Sequence, residues 1–272
     1  MSRGNKRKER GDGASKITLS CVGFCGADDS IEPCLLAAIS AQHEWVEWGV
    51  LFRNDKEGEP RYASSQWLKR LAATNSSRSM RLAGHLCAQR VNELLRGESD
   101  FVRYLHEEVG FNRVQINATA ANNCDVAMFG SDSGACKCVA ALRSAFAAVP
   151  EVEFILQRNR ETKALWERLV DDPPPNMSLL FDDSMGLGVS ATSWPSPPTS
   201  KSLKFGYAGG LSPTNLAQQL ENIEGVAGGR TLWVDMETSL RTKLEDGSDV
   251  FDANKVMRCV TAVIDNGRTP EA

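Results

Sequence analysis

The run from Lys204 to Ile223, KFGYAGGLSPTNLAQQLENI, closes a short apolar stretch with Gly209-Gly210 and then opens an amphipathic helix after Ser-Pro. Glycines let a backbone approach a ligand closely, and a helix N-terminus that follows turns its free amides and positive dipole end the same way. That is chemistry for holding an anion; the other reading is a plain glycine turn with Pro213 opening the helix. More residues able to do chemistry stand at the ends of other short apolar runs. They are Cys25 with Asp28 and Asp29 after it, Glu47 with Arg61 beyond it, His85, Gln115 and Asn117, Gln157, Asp182 and Asp183, and Asp235 and Glu237 followed by Thr238 and Ser239. Thiols and carboxyls can pass protons. The acids could also hold a divalent cation or cap helices, as Asp29 or Ser30 before IEPCLLAA would. Neither a metal nor a cofactor is expected, because CKC at 136–138 has no second pair and the chain has only three histidines.

The elements that must position these residues follow a repeat. KITLSCVGFC, WVEWGVLF, MRLAGHLC, NRVQINA, VEFILQ, MSLLFDD, LKFGYA and TLWVDM read as strands, and most are followed by a segment with helical spacing. Apolar strands at intervals of roughly 30 residues match βαβ units with a parallel sheet buried on both faces. Eight such units point to an α/β fold, a single (β/α)8 TIM barrel, whose site lies at the C-terminal strand ends. An open doubly wound sheet is the alternative, but GFCGADDS lacks its glycine fingerprint. The sixth strand leads into Gly-, Ser- and Pro-rich sequence, so an irregular connection replaces helix six. Residues 1–15, polar and basic, read as a disordered tail, and 16–272 as one barrel domain.

The 272 residues carry a formal net charge of -4, which points to no nucleic-acid partner, and no apolar run is long enough to span a bilayer. The eight cysteines, with no secretory segment, fit reduced thiols and a cytoplasmic location. The expected partner is a small-molecule substrate; nothing indicates the oligomeric state.

Four stretches resemble phosphoribosylanthranilate isomerase, a (β/α)8 enzyme of tryptophan biosynthesis: FCGADDS, GVLFRNDKEGEPRYASSQ, SLLFDDSMGLGVSATSW and, most closely, YAGGLSPTNL. The resemblance runs in order from about residue 16 to 265. It implies an Amadori rearrangement of a phosphorylated aminoaldose, with Cys25 as general base and Asp182 as general acid. Arg61 would hold the anthranilate carboxylate, and Gly209, Gly210, Thr238 and Ser239 the phosphate. His85, Gln115, Asn117, Asp183 and Asp235 complete the expected substrate contacts. Adjacent strand residues face opposite ways, so only one of Asp182 and Asp183 enters the pocket, and Asp182 is preferred. Cys25 would need a depressed pKa to act as thiolate. The eighth strand departs from the family: VDMETSLRT puts Glu237 and Ser239 where small residues would leave amides free for phosphate. The alternatives are therefore another, unphosphorylated ligand on the same barrel, or a non-catalytic binding module.

Overall fold

Eight β-branched and apolar runs become eight parallel strands: β1 (Thr18–Cys25), β2 (Val46–Phe52), β3 (Arg81–Leu86), β4 (Arg113–Ile116), β5 (Glu153–Arg158), β6 (Met177–Phe181), β7 (Lys204–Ala208) and β8 (Thr231–Met236). Each pairs with the next, and β8 returns to β1, which closes the barrel expected from the repeat. The structure is a computed structural model that describes residues 16–182 and 193–270. The basic tail, Asp183 and most of the glycine-rich stretch after β6 lie outside the described residues. The described part of that connection, from 193 to β7, contains no helix. Among the described residues no helix is long and apolar enough to cross a membrane.

The helices are α1 (Pro33–Gln42), α2 (Ser65–Thr74), α3 (Gln89–Leu94), α4 (Asp100–Tyr104), α5 (Asp132–Ala148), α6 (Lys163–Val170), α7 (Leu216–Ala227) and α8 (Ala253–Asp265). Each longer helix lays an apolar stripe on the sheet: α2 buries Trp67, Leu68 and Leu71, and α8 buries Val256, Cys259, Val260 and Val263. Their starts are fixed by caps. The Ser64 hydroxyl accepts from the Trp67 amide, and the Asp252 carboxylate from the Asn254 and Lys255 amides, each cap stabilising by about 1 kcal/mol.

Three local features depart from a plain strand–helix repeat. α4 passes into a π-helical turn over Leu105–Val109 that ends at Gly110 in the left-handed region. The seventh helix begins at Leu216 rather than Pro213, because Asn215 binds back, accepting from the Ser212 amide and donating to the Gly210 carbonyl. A hairpin of β9 (Arg241–Lys243) and β10 (Asp249–Phe251) follows β8, and its turn includes Asp246-Gly247, with the glycine at φ 87°.

Because side chains alternate along a strand, every second residue points into the barrel. At the N-terminal end Arg113 lies between Glu47 (2.7 Å) and Glu153 (3.0 Å), its guanidinium 4.3 Å from the Trp233 ring centroid. In the middle Cys21, Ile155, Leu180 and Trp233 form a small apolar plug. Gly206 leaves the space that the Trp233 ring fills; a Cβ there would overlap it. The C-terminal layer is polar, and the plug separates it from the Arg113 cluster.

Candidate active site

The C-terminal layer opens into a cavity of about 300 Å³. Cys25 ends β1, His85 lies near the end of β3, and Asp235 near the end of β8, so three separate strands deliver one cluster. The Cys25 thiol donates to Asp235 Oδ1 at 2.7 Å, and Cys25 Sγ lies 3.3 Å from His85 Nε2. His85 Nε2 is 3.9 Å from Asp235 Oδ2. Two mid-strand glycines make room for it. A Cβ at Gly49, paired with Cys25 across β1 and β2, would overlap Cys25 Sγ, and one at Gly23 would overlap the Asp235 carboxylate.

Burial sets the charge state of the cluster. It pushes the Cys25 thiol well above its ordinary value, and the Asp235 carboxylate adds to the effect. Burial also raises the Asp235 carboxyl to about 7, with the Cys25 hydrogen bond opposing. His85 falls to about 3, again through burial first and then through Arg113, so it is neutral. The depressed thiol expected of a lone thiolate base is therefore not what the site provides. It provides a thiol and a carboxyl that share a proton.

The opposite wall is built from β4, β5 and β6. Gln157 Nε2 donates to Asp182 Oδ2 at 3.1 Å, and Gln115 Nε2 donates to Asn117 Oδ1 at 2.7 Å. Asp182, Gln115 and Asn117 are all buried. Gly209 and Gly210 line the cavity in positive-φ conformations, 118° and 65°, which only glycine adopts freely. Thr238 and Ser239 also line it, and the Ser239 hydroxyl donates to the Leu211 carbonyl at 2.6 Å, tying the loop after β8 to the loop after β7.

Arg61 is the expected contact that the structure assigns elsewhere. It does not line the cavity; its guanidinium pairs with Glu237 (3.2 Å) and Asp249 (3.5 Å), and its amide donates to Asp28 at 2.6 Å. Arg241 extends this network to Asp28, Asp249 and the Gly26 carbonyl. Glu237 is thus the cavity-facing end of an ion-pair chain that joins the loops after β1, β2 and β8 to the hairpin. Loss of hydration raises its carboxyl, with Arg61 and Arg241 opposing and Asp182 adding to the rise.

Other acids leave the mouth. Glu47 sits at the far end of the barrel with Arg113, because it is the second residue of β2, five positions before that strand ends at Phe52. Asp28 is held by Arg241, and Asp29 accepts from the amide and hydroxyl of Ser64, the cap residue of α2. Asp29 does not cap α1, which starts at Pro33 after an uncapped Glu32. Sequence reasoning missed Asn122 in the lining, and the roles of Gly23 and Gly49. A glycine inside an apolar strand is itself a sign of close approach.

Among the described residues, Cys25, His85 and Asp235 are also the group of possible metal donors whose ligand atoms lie within 4.8 Å of one another. An ion there would have to displace the thiol proton and spread the thiol from the carboxylate.

No protein-family model matches the chain, and no curated protein matches it. Solved structures do. Monomers generated from the dimeric phosphoribosylanthranilate isomerase of Thermotoga maritima align with a TM-score of 0.50 at 12% identity, over 92% of this chain and 98% of that one. The phosphoribosyl anthranilate isomerase of Thermus thermophilus aligns with a TM-score of 0.50 at 19% identity, over 90% and 98%. That of Thermococcus kodakaraensis aligns at 0.46 and 14%, over 90% and 98%. At such identities the likeness is one of fold: the chain is a (β/α)8 barrel similar in course to these isomerases.

Proposed function

We propose that this chain is an aldose–ketose isomerase that works at the C-terminal mouth of its barrel. One observation carries the reading: a thiol–carboxyl pair that shares a proton, Cys25 with Asp235, lines the same cavity as a second buried carboxyl, Asp182. In an Amadori rearrangement Asp182 gives a proton to the ring oxygen. The C1–O bond breaks toward oxygen, and the nitrogen lone pair forms an iminium. The Cys25–Asp235 pair then takes the C2 proton, whose electron pair becomes the C1=C2 bond and neutralises the iminium. Loss of the enol proton and protonation at C1 give the aminoketose, so the net change is internal and needs no oxidant.

Phosphoribosylanthranilate is the substrate that the sequence resemblance implies, with its phosphate at Gly209, Gly210, Thr238 and Ser239. Glu237, on the cavity wall beside Thr238, favours a second reading in which the sugar carries no phosphate. A carboxylate 4 Å from a phosphate charge repels it by roughly 1–4 kcal/mol. Turnover of phosphoribosylanthranilate, followed by loss of its fluorescence, and of a panel of aldosylamines and aldoses tests both. Cys25→Ala and Asp182→Asn should each lower kcat by about 100-fold or more. Full activity in either variant would remove the assignment.

A further inference from the structure

Cys25, His85 and Asp235 bring a sulfur, an imidazole nitrogen and a carboxylate oxygen to one point from β1, β3 and β8. These are the three donor types that zinc takes from side chains. Spacing along the chain does not announce the group, because His85 and Asp235 stand 60 and 210 residues from Cys25.

The geometry is close to that of a zinc centre. Bonds of about 2.3 Å to sulfur and about 2.0–2.1 Å to nitrogen and oxygen, at tetrahedral angles, hold ligand atoms about 3.3–3.6 Å apart. Here Cys25 Sγ and His85 Nε2 are 3.3 Å apart, and His85 Nε2 and Asp235 Oδ2 are 3.9 Å apart. The one short separation, 2.7 Å from Cys25 Sγ to Asp235 Oδ1, is a hydrogen bond, and exchanging its proton for an ion opens it by less than about 1 Å. The backbone closes one side of the group. Gly49 packs on Cys25 Sγ and Gly23 on the Asp235 carboxylate, each so closely that a Cβ would overlap. All three side chains line the cavity, so an ion held by them sits on its wall with a fourth position open to what enters.

We propose that Cys25, His85 and Asp235 form a zinc site in which the ion takes the place of the Cys25 thiol proton. The S–H bond breaks toward sulfur, the thiolate keeps the electron pair and binds Zn2+, and the proton leaves to solvent, so nothing is oxidised or reduced. Thiolate and imidazole set the site apart from a pocket of acids, because they favour zinc over Mg2+ and Ca2+, which take oxygen ligands. The inference goes beyond the isomerase reading. Under that reading an ion here removes the base, so metal and catalytic proton exclude each other.

The test is titration of the metal-free full chain, carrying Cys34→Ser and Cys136→Ser to remove the exposed thiols, with Zn2+ against a chromophoric chelator and with Co2+ by absorption. Zn2+ should bind one to one, Mg2+ should not compete, and bound Co2+ should show a thiolate-to-cobalt charge-transfer band that Cys25→Ser abolishes. Cys25→Ser, His85→Gln and Asp235→Asn should each weaken Zn2+ by more than the roughly 10–100-fold lost when only a contact supporting a ligand is removed. Asp182→Asn and Glu237→Gln, which change the other acids of the cavity, should leave binding within about threefold. The cobalt band of the intact protein reads the sulfur directly should a variant fail to fold. The proposal is overturned if Zn2+ does not bind, if Mg2+ competes equally, if the cobalt band is absent or survives Cys25→Ser, if any of the three ligand variants keeps the affinity, or if Asp182→Asn or Glu237→Gln loses as much. Zn2+ should also lower turnover at least about tenfold, with EDTA restoring it, and turnover raised by Zn2+ would overturn the exclusion. A chain that binds zinc as described but turns over none of the panel fails the isomerase reading alone.

Discussion

Cys25 and Asp235 cannot both ionise readily when the thiol and the carboxylate are 2.7 Å apart in a buried layer. The pair therefore carries two protons below about pH 7 and one above it, and it becomes a competent base only when Asp235 has lost its own. We predict that kcat/KM rises with pH through about 7 and that the rise disappears in Asp235→Asn, as read from pH–rate profiles of the two proteins. The same group governs stability. Unfolded Asp235 releases its proton near the ordinary 3.8, while folded Asp235 keeps it to about 7, so the folded state binds more protons between those values. Its contribution is fully present below 3.8 and is lost as pH rises through about 7. The full span is on the order of 4 kcal/mol. Urea unfolding at both ends of this window should show Asp235→Asn gaining stability over wild type as pH rises. Much of the residue scale is legible in the sequence: Cys25, His85, Gln115, Asn117, Asp182, Gly209, Gly210 and Asp235 all line one cavity. Arg61 was not, because its partners Glu237 and Asp249 lie 176 and 188 residues away and nothing local announces them. The thiol's charge state was not either, since it depends on burial and on Asp235 from the far end of the chain.

Among the elements, the strands were legible because their apolar runs are continuous and regularly spaced. Helix ends were less so: the α7 start moved by three residues when Asn215 used its side chain on the preceding turn. The β9–β10 hairpin carries the turn signal Asp246-Gly247, but its strands are three residues each and largely polar, too short to show a period. Interior glycines define what each strand can hold. Gly206→Ala would push a methyl into the Trp233 ring, and we expect it to cost about 1–3 kcal/mol. Trp233→Phe should return part of that loss in the double variant, as measured by denaturant midpoints. If the double variant is simply the sum of the two single ones, the packing account of β7 against β8 is wrong. Gly49→Ala, whose methyl would meet Cys25 Sγ, should instead act on turnover.

For the whole molecule, the barrel divides its work between its two ends. The apolar plug of Cys21, Ile155, Leu180 and Trp233 separates the catalytic layer from the Glu47–Arg113–Glu153 cluster. That cluster is a structural device, and removing Arg113 leaves Glu47 buried and without its ion pair, while Glu153 keeps Lys204 and the Ser178 hydroxyl. Arg113→Met should therefore destabilise by about 3–5 kcal/mol. Its effect on the catalytic pair should be limited to the small loss of a distant positive charge. Closure of the sheet was predictable from strand count and spacing alone, whereas the polarity of each interior layer emerges only from the register that closure imposes.

The central claim is that Cys25 with Asp235 takes a proton from carbon and that Asp182 serves as the acid. Incubation of the aldosylamine and aldose panel with enzyme in deuterium oxide, followed by mass spectrometry, tests it most directly. The account predicts incorporation of one carbon-bound deuterium with wild type, none with Cys25→Ala, and a large loss with Asp182→Asn. No incorporation from any member of the panel, or undiminished incorporation with Cys25→Ala, would contradict it.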